Sequence, residues 1–385
     1  MLPTLTTFAV YPRIVFGEGA ANEAGRELAA LGARSVLVVT DSGLVRAGLI
    51  QPLCGLLEDA GLRHAAFTDV EANPSVETVE RALAVYQEHT CDGILAVGGG
   101  SPMDTAKAVG LLATNGGRLR DYEGMGLVRK PLPPFVAIPT TVGTGSEVTV
   151  FDVITDVQRQ FKMTIASPHL APKVALLDPA LVYGLPRDLV AATGMDALTH
   201  AIESFLATSA HPFSEAAALY AVELIAANLR AAVAGDRSAR GILLYTATLA
   251  GMSFNSTRLG DCHALAHPLS AVCGVPHGVA NAVLLPYVME FNLTHAQARL
   301  ARLARTLGEQ VEALSQEEAA LAAVAAVRWL AADIGIPACL SDLGVPAEAI
   351  PQMASDAMKS GNIAVNPRPT SLEDVIALYE RALRG

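Results

Sequence analysis

The chain has 385 residues, 51% hydrophobic and 17% charged, which fits a soluble globular protein with a large core. At ~150 residues per domain, the length predicts two or three domains. A formal charge of −11 with no basic run argues against a nucleic-acid partner, because phosphates need cations to neutralise them.

The five cysteines are odd in number and contain no C-x-x-C, so no disulfide framework or zinc knuckle is expected. Reduced thiols in a cytoplasm are the simpler reading. The N-terminal stretch MLPTLTTFAVYPRIVFGEG has no charged segment ahead of its apolar residues and is interrupted by Pro3 and Pro12. It does not read as a secretory leader. The Ala/Leu/Val-rich run 321–327 falls far short of the ~20 residues a membrane span needs. A cytoplasmic location with no membrane partner is therefore expected.

Along the chain, SVLVVT (35–40) reads as a buried strand, 44–60 as a helix, 64–70 as a strand and 76–88 as a helix. GILAV (93–97) is another buried strand, followed at once by Gly98-Gly99-Gly100 and a helix from Pro102. FVAIP (135–139) and VALL (174–177) add two more strands. Continuous apolar strands separated by helices predict a parallel sheet covered on both faces. Beyond Pro186 apolar residues recur at three- and four-residue spacing, as in 216–229 and 319–330. The expected organisation is an α/β nucleotide-binding domain over 1–185 and an all-α domain over 186–385. No low-complexity linker separates them, so the two are expected to pack together.

Residues 98–107 (GGGSPMDTAK) stand where a buried strand turns into a helix. Glycines there let backbone N–H groups approach a phosphate, and the helix N-terminus adds partial positive charge. Ser101 can cap the helix or donate to a phosphate. A second Gly/Thr-rich turn, 140–147 (TTVGTGSE), follows the FVAIP strand. A tight turn without a ligand would suit one of these, but two at strand C-termini point to a bound ligand. The usual Rossmann fingerprint is absent, since Gly17-Glu18-Gly19 is followed by Asn22 where a third glycine is required. Asp41 ends the first strand. It can accept from a ribose diol and repel a 2′-phosphate, favouring NAD, or it can cap the helix that follows.

Three histidines, His263, His267 and His277, lie within fifteen residues, and Asp196 and His200 share a helix face at i, i+4. Each alone suits a packed histidine. Together, in apolar-flanked segments, they suit an Fe(II) or Zn site. Phe151 and Phe254 are candidates for a substrate-pocket wall.

The stretches GGGSPMDTAK, PTTVGTGSEVT, GMDALTHAIE and HALAHP with VPHGVANAVLLP resemble the iron-containing (group III) alcohol dehydrogenase family, and a late N-P-R (366–368) also fits. The resemblance covers nearly the whole chain. It implies a Rossmann-like α/β domain followed by a helical domain, the dehydroquinate synthase-like architecture, with the site between them and a homodimer as the assembly. It carries metal ligation onto Asp196, His200, His263 and His277, and places His267 beside the nicotinamide as a non-ligand. Asp41, Asn73, Gly98, Gly99, Gly100, Ser101, Asp104, Thr140, Thr141, Thr144 and Lys162 fall on cofactor-binding positions. The implied activity is hydride transfer between a small primary alcohol, or its aldehyde, and NAD(H), with Fe(II) as the metal and Zn admitted by the same donors. Glycerol-dehydrogenase-like polyol oxidation and a dehydroquinate-synthase-like lyase are the alternatives. Gly260-Asp261-Cys262 departs from the family's apolar residues and is expected to border the substrate space.

Overall fold

The computed structural model describes residues 5–385, so the first four residues, with Pro3, lie outside the described part. The described chain divides into two compact units. One is Val10–Gly184, and the other joins residues 5–9 to Leu185–Gly385.

Val10–Gly184 carries strands β1 (Arg13–Phe16), β2 (Ser35–Val39), β3 (Arg63–Phe67), β4 (Gly93–Gly98), β5 (Gly124–Met125), β6 (Phe135–Pro139), β7 (Phe151–Asp156), β8 (Phe161–Ala166) and β9 (Val174–Leu177). Its helices are α1 (Ala24–Ala30), α2 (Ser42–Arg46), α3 (Ile50–Asp59), α4 (Val76–Glu88) and α5 (Gly100–Asn115). Six strands form a parallel sheet in the order β1-β9-β6-β4-β2-β3. Along β2, Leu37 and Val39 enter one core with Ile94 and Met103, while Val36 and Val38 enter another with Leu57 and Leu95. Apolar residues are needed on both faces, hence the unbroken apolar run. Each such buried side chain contributes ~1.5–3 kcal/mol relative to exposure.

The expected helix 44–60 is two helices, because Gly48 at φ 74° turns the chain between α2 and α3. The helix expected from Pro102 starts earlier, at Gly100. The strand expected over 64–70 is the shorter β3. The antiparallel β7–β8 hairpin, which with β5 makes a second sheet, carries no apolar signature, because Asp152 and Asp156 take two of the buried positions of β7.

The helical unit contains α6 (Arg187–Leu206), α7 (Pro212–Ala234), α8 (Arg237–Thr257), α9 (Asp261–Cys273), α10 (His277–Thr306), α11 (Gln316–Asp333), α12 (Ile350–Ala357) and α13 (Leu372–Arg384). α6 packs on α7, α8 and α10, and α10 packs on α9 and α11. Among the described residues, α7 is the one helix long and apolar enough to cross a membrane, a longer stretch than the 321–327 run suggested. It buries Ala218, Val222, Ile225 and Leu229 and packs on α6 and α8.

Candidate functional site

In the six-stranded sheet the chain leaves β2 for β3 on one side, while β4, β6 and β9 lie on the other. The strand order therefore reverses between β2 and β4, and ligands of such sheets sit beyond the strand C-termini at that point. Asp41, residues 98–100 and residues 140–145 follow β2, β4 and β6 there.

The glycine turn is closed by contact. Gly98 has φ 153°, and a Cβ on it would lie 2.4 Å from Pro102 Cγ. A Cβ on Gly99 or Gly100 would meet the side chain of Thr141 at 2.9 Å or Thr144 at 3.1 Å, so the two turns pack directly on each other. Gly99 is the N-cap of α5, which places Ser101 in its first turn. Thr140 N donates to the Gly98 carbonyl, and Ser146 N to Thr144 Oγ1. The turn after β1 is filled differently. There the Gly19 and Ala21 amides donate to Asp178 Oδ2.

Beneath the two turns lies a polar cluster that the sequence reading missed. Lys107, fully buried, donates to Ser146 Oγ (2.8 Å), Thr149 Oγ1 (3.2 Å) and the Phe151 carbonyl (2.7 Å). Ser146 Oγ in turn donates to Asp104 Oδ1 (2.9 Å). Two hydroxyls and a carbonyl around one amine suit an ammonium, which has three N–H donors. Burial pulls the Lys107 pKa down, opposed by the carboxylates of Asp104, Asp152 and Glu147. Burial pushes the carboxyls of Asp104 and Asp152 up, and Asp104 raises Asp152 further. Lys107 was within reach of the sequence reading as a lysine in an otherwise apolar stretch, three residues after Asp104.

Asp41 caps α2, its Oδ1 accepting from Gly43 N (2.7 Å) and Leu44 N (3.1 Å). Asn73, at φ 57°, accepts at Oδ1 from Lys162 Nζ (2.7 Å), joining the loop after β3 to β8. Phe151, half-buried, touches the Lys107 cluster through its backbone.

The helical unit holds the histidines. One donor atom from each of Asp196, His263 and His277 lies within 4.8 Å of the others. His263 Nε2 and His277 Nε2 stand 3.6 and 3.7 Å from Asp196 Oδ1. Donors at ~2.1 Å from one ion in a tetrahedron stand ~3.4 Å apart, so the trio fits a divalent cation by spacing and by chemistry. His200 lies outside the trio, with its ring stacked on His263 at 4.6 Å and on Phe254 at 4.5 Å. His267 is further out, its ring 5.3 Å from that of His277 and 6.3 Å from that of His263. Burial disfavours charge on Asp196, but His200, His277 and His263 outweigh it and hold the carboxyl well below its usual range. Burial likewise opposes charge on His263, yet Asp196 and Glu203 push its pKa up to about 9.

Close backbone packing brings these side chains together. A Cβ on Gly278 would come 2.3 Å from the Ala192 carbonyl, so the start of α10 lies directly on α6. Gly194 similarly admits Leu229 of α7. Two further polar residues were missed. Asn281, one turn after His277, places Nδ2 2.8 Å from Asp196 Oδ1, 3.0 Å from His263 Nε2 and 3.2 Å from His277 Nε2. Glu203, seven residues after Asp196 on α6, accepts from His263 Nδ1 at 2.6 Å. An acid at i+7 within the apolar GMDALTHAIE run was its signal.

Within the 260–262 stretch, Gly260 lines a cavity with Glu203, Asn292 and Asn366. Asp261 and Cys262 are fully buried, Asp261 accepting from Thr370 Oγ1 (2.6 Å) and Cys262 Sγ facing the Asn281 carbonyl (3.4 Å).

Two family models match the chain, one described as iron-containing alcohol dehydrogenase over residues 12–179 and one as the C-terminal part of the Fe-containing alcohol dehydrogenase family over residues 190–383. A 1,3-propanediol dehydrogenase of Klebsiella pneumoniae is 44% identical, covering 95% of this chain and 96% of its own length. An NAD-dependent methanol dehydrogenase of Bacillus methanolicus is 40% identical over 98% of this chain and 100% of its own. The crystal structure of a 1,3-propanediol oxidoreductase superposes with a TM-score of 0.96 at 43% identity, covering 98% of this chain and 100% of that one.

Proposed function

We infer that this chain, which belongs to the iron-containing alcohol dehydrogenase family, moves a hydride between a small primary alcohol, or its aldehyde, and NAD(H). The observation that carries the reading is the meeting of Asp196, His263 and His277, from α6, α9 and α10, around one point. With His200 they would hold a divalent metal, Fe(II) by family and Zn by donor chemistry. When bound, that metal supplies a Lewis acid for the substrate oxygen, and NAD supplies the hydride acceptor.

The chain's own residues do the rest. Residues 98–101 and 140–144 offer backbone N–H groups and hydroxyls to the dinucleotide phosphates, and Asp104, Asn73 and Lys162 line the same sheet edge. Asp41 offers its Oδ2 to the adenosine ribose. His267, close to the trio, is suited to carry the alcohol proton towards solvent, since imidazole changes charge near neutral pH. Phe254, stacked on His200, is the apolar wall beside the metal ligands, and Phe151 is proposed for the pocket as well.

A cytoplasmic homodimer completes the reading. The lyase alternative needs cationic groups near the ligands. Arg258, the arginine close in sequence, instead donates to the Gly361 carbonyl. The test is elemental analysis of anaerobically purified protein, followed by NADH formation with short alcohols and diols. Stoichiometric metal and turnover are expected. Metal-free protein that still oxidises alcohols would overturn the reading.

A further inference from the structure

α9 begins at Asp261, and its N-cap residue Gly260 has no side chain to satisfy the first amides of the helix. Glu203 reaches across from α6 to take that place. Its Oε1 accepts from Cys262 N (2.6 Å) and its Oε2 from His263 N (3.3 Å). The same Oε2 also accepts from the His263 ring at Nδ1 (2.6 Å), with both side chains almost fully buried. Gly260 is what lets the carboxylate in, because a Cβ there would lie 2.9 Å from Glu203 Oε1.

Nδ1, held against Glu203 Oε2, carries a ring proton, so that in a neutral imidazole, the form that ligates a metal, the lone pair falls to the opposite ring nitrogen. That nitrogen, Nε2, is the one 3.6 Å from Asp196 Oδ1. Asp196, His200 and Glu203 fall at i, i+4 and i+7, on one face of α6.

We propose that Glu203 is the positioning residue of the metal centre, clamping the start of α9 and the His263 ring together so that Nε2 faces the ligand trio. The inference rests on His263 being a ligand. It adds that one carboxylate sets both the ring's tautomer and its orientation, as carboxylates behind metal-bound histidines do.

The test uses the full-length protein loaded with Zn(II) and labelled with 15N-histidine. Long-range proton–nitrogen correlation should show His263 protonated at Nδ1 in the wild type. Glu203→Gln, which presents a donor where an acceptor is required, should lower Zn(II) affinity 10–100-fold in chelator competition. A proton on His263 Nε2 in the loaded wild type would overturn the proposal. So would a Glu203→Gln protein that melts earlier but keeps wild-type Zn(II) affinity. If Glu203→Gln does not fold, the wild-type spectrum alone decides. Failure of the underlying ligand reading looks different, because His263→Ala would then keep its zinc.

Discussion

At the C-terminal end of β4 the protein strips side chains away so that two turns can meet, whereas around α6 it crowds side chains onto one point. The first region depends on what glycine lacks, with Gly98, Gly99 and Gly100 each filled to contact by Pro102, Thr141 and Thr144. The second depends on exact side chains, and its glycines, Gly194 and Gly278, serve only to bring helices close. Each holds a carboxylate that accepts from a neighbouring side chain: half-buried Asp104 from Ser146 in one, buried Glu203 from His263 in the other. A backbone cradle should therefore lose function gradually under mutation, and a side-chain cluster abruptly.

The largest effect is expected at His263. Replacing it by alanine removes one proposed ligand and leaves Glu203 only the amides of residues 262 and 263, so metal content and turnover should vanish together. Loss of several kcal/mol of transition-state stabilisation corresponds to on the order of 10³-fold or more in rate. NAD affinity should remain, as read by titration of the metal-free variant. Equal loss of NAD binding would mean the two regions are not separable in this way.

Next comes Lys107→Met, which leaves the Phe151 carbonyl without its donor and exposes Asp104 and Asp152 to each other. Breaking a buried ionic cluster from one side costs ~3–5 kcal/mol. Urea unfolding should show that loss, and NAD should bind more weakly while metal content per folded chain stays at the wild-type level. An unchanged unfolding midpoint would show that the ammonium does not brace the turns.

This contrast also explains what could be read from the sequence. The parallel sheet announced itself through SVLVVT, GILAV and FVAIP, since strands buried on both faces must be apolar throughout. The histidine and glycine motifs were visible because short spacing encodes a helix face or a turn. Lys107, Glu203 and Asn281 stood inside the quoted motifs, yet their partners lie 44, 60 and 85 residues away, and no local pattern reports such a pairing. The β7–β8 hairpin was hidden for the opposite reason, its inward positions being held by Asp152 and Asp156.

That hairpin supplies a smaller, pH-dependent effect. Asp156 is buried and accepts from Arg120 and Arg159; burial opposes its ionisation, but these hydrogen bonds prevail and lower its pKa. A lowered folded-state pKa adds stability above the ordinary carboxylate range, and this is lost as pH falls through the folded value. Asp156→Asn should therefore cost ~1–3 kcal/mol at pH 7, with the gap to wild type closing below pH ~4. A gap that persists undiminished in acid would assign the effect to packing instead of charge.

The smallest effect, and the one that most sharpens the contrast, concerns Asp41, where backbone and side-chain strategies meet in a single residue. Its Oδ1 is spent on the Gly43 and Leu44 amides, so the cap is real, and only Oδ2 is left to read the ribose. Two substitutions separate the roles. Asn caps a helix about as well as Asp but carries no charge, while Ala loses both functions and costs ~0.5–2 kcal/mol of cap stability. Asp41→Asn should keep the wild-type melting temperature and still let NADP compete better, because the carboxylate that repels a 2′-phosphate is gone. Asp41→Ala should show the same relaxed cofactor ratio together with a lower melting temperature. An Asp41→Asn enzyme with an unaltered NAD-to-NADP ratio in kcat/KM would leave Asp41 as a helix cap alone, with cofactor choice set elsewhere along the sheet edge.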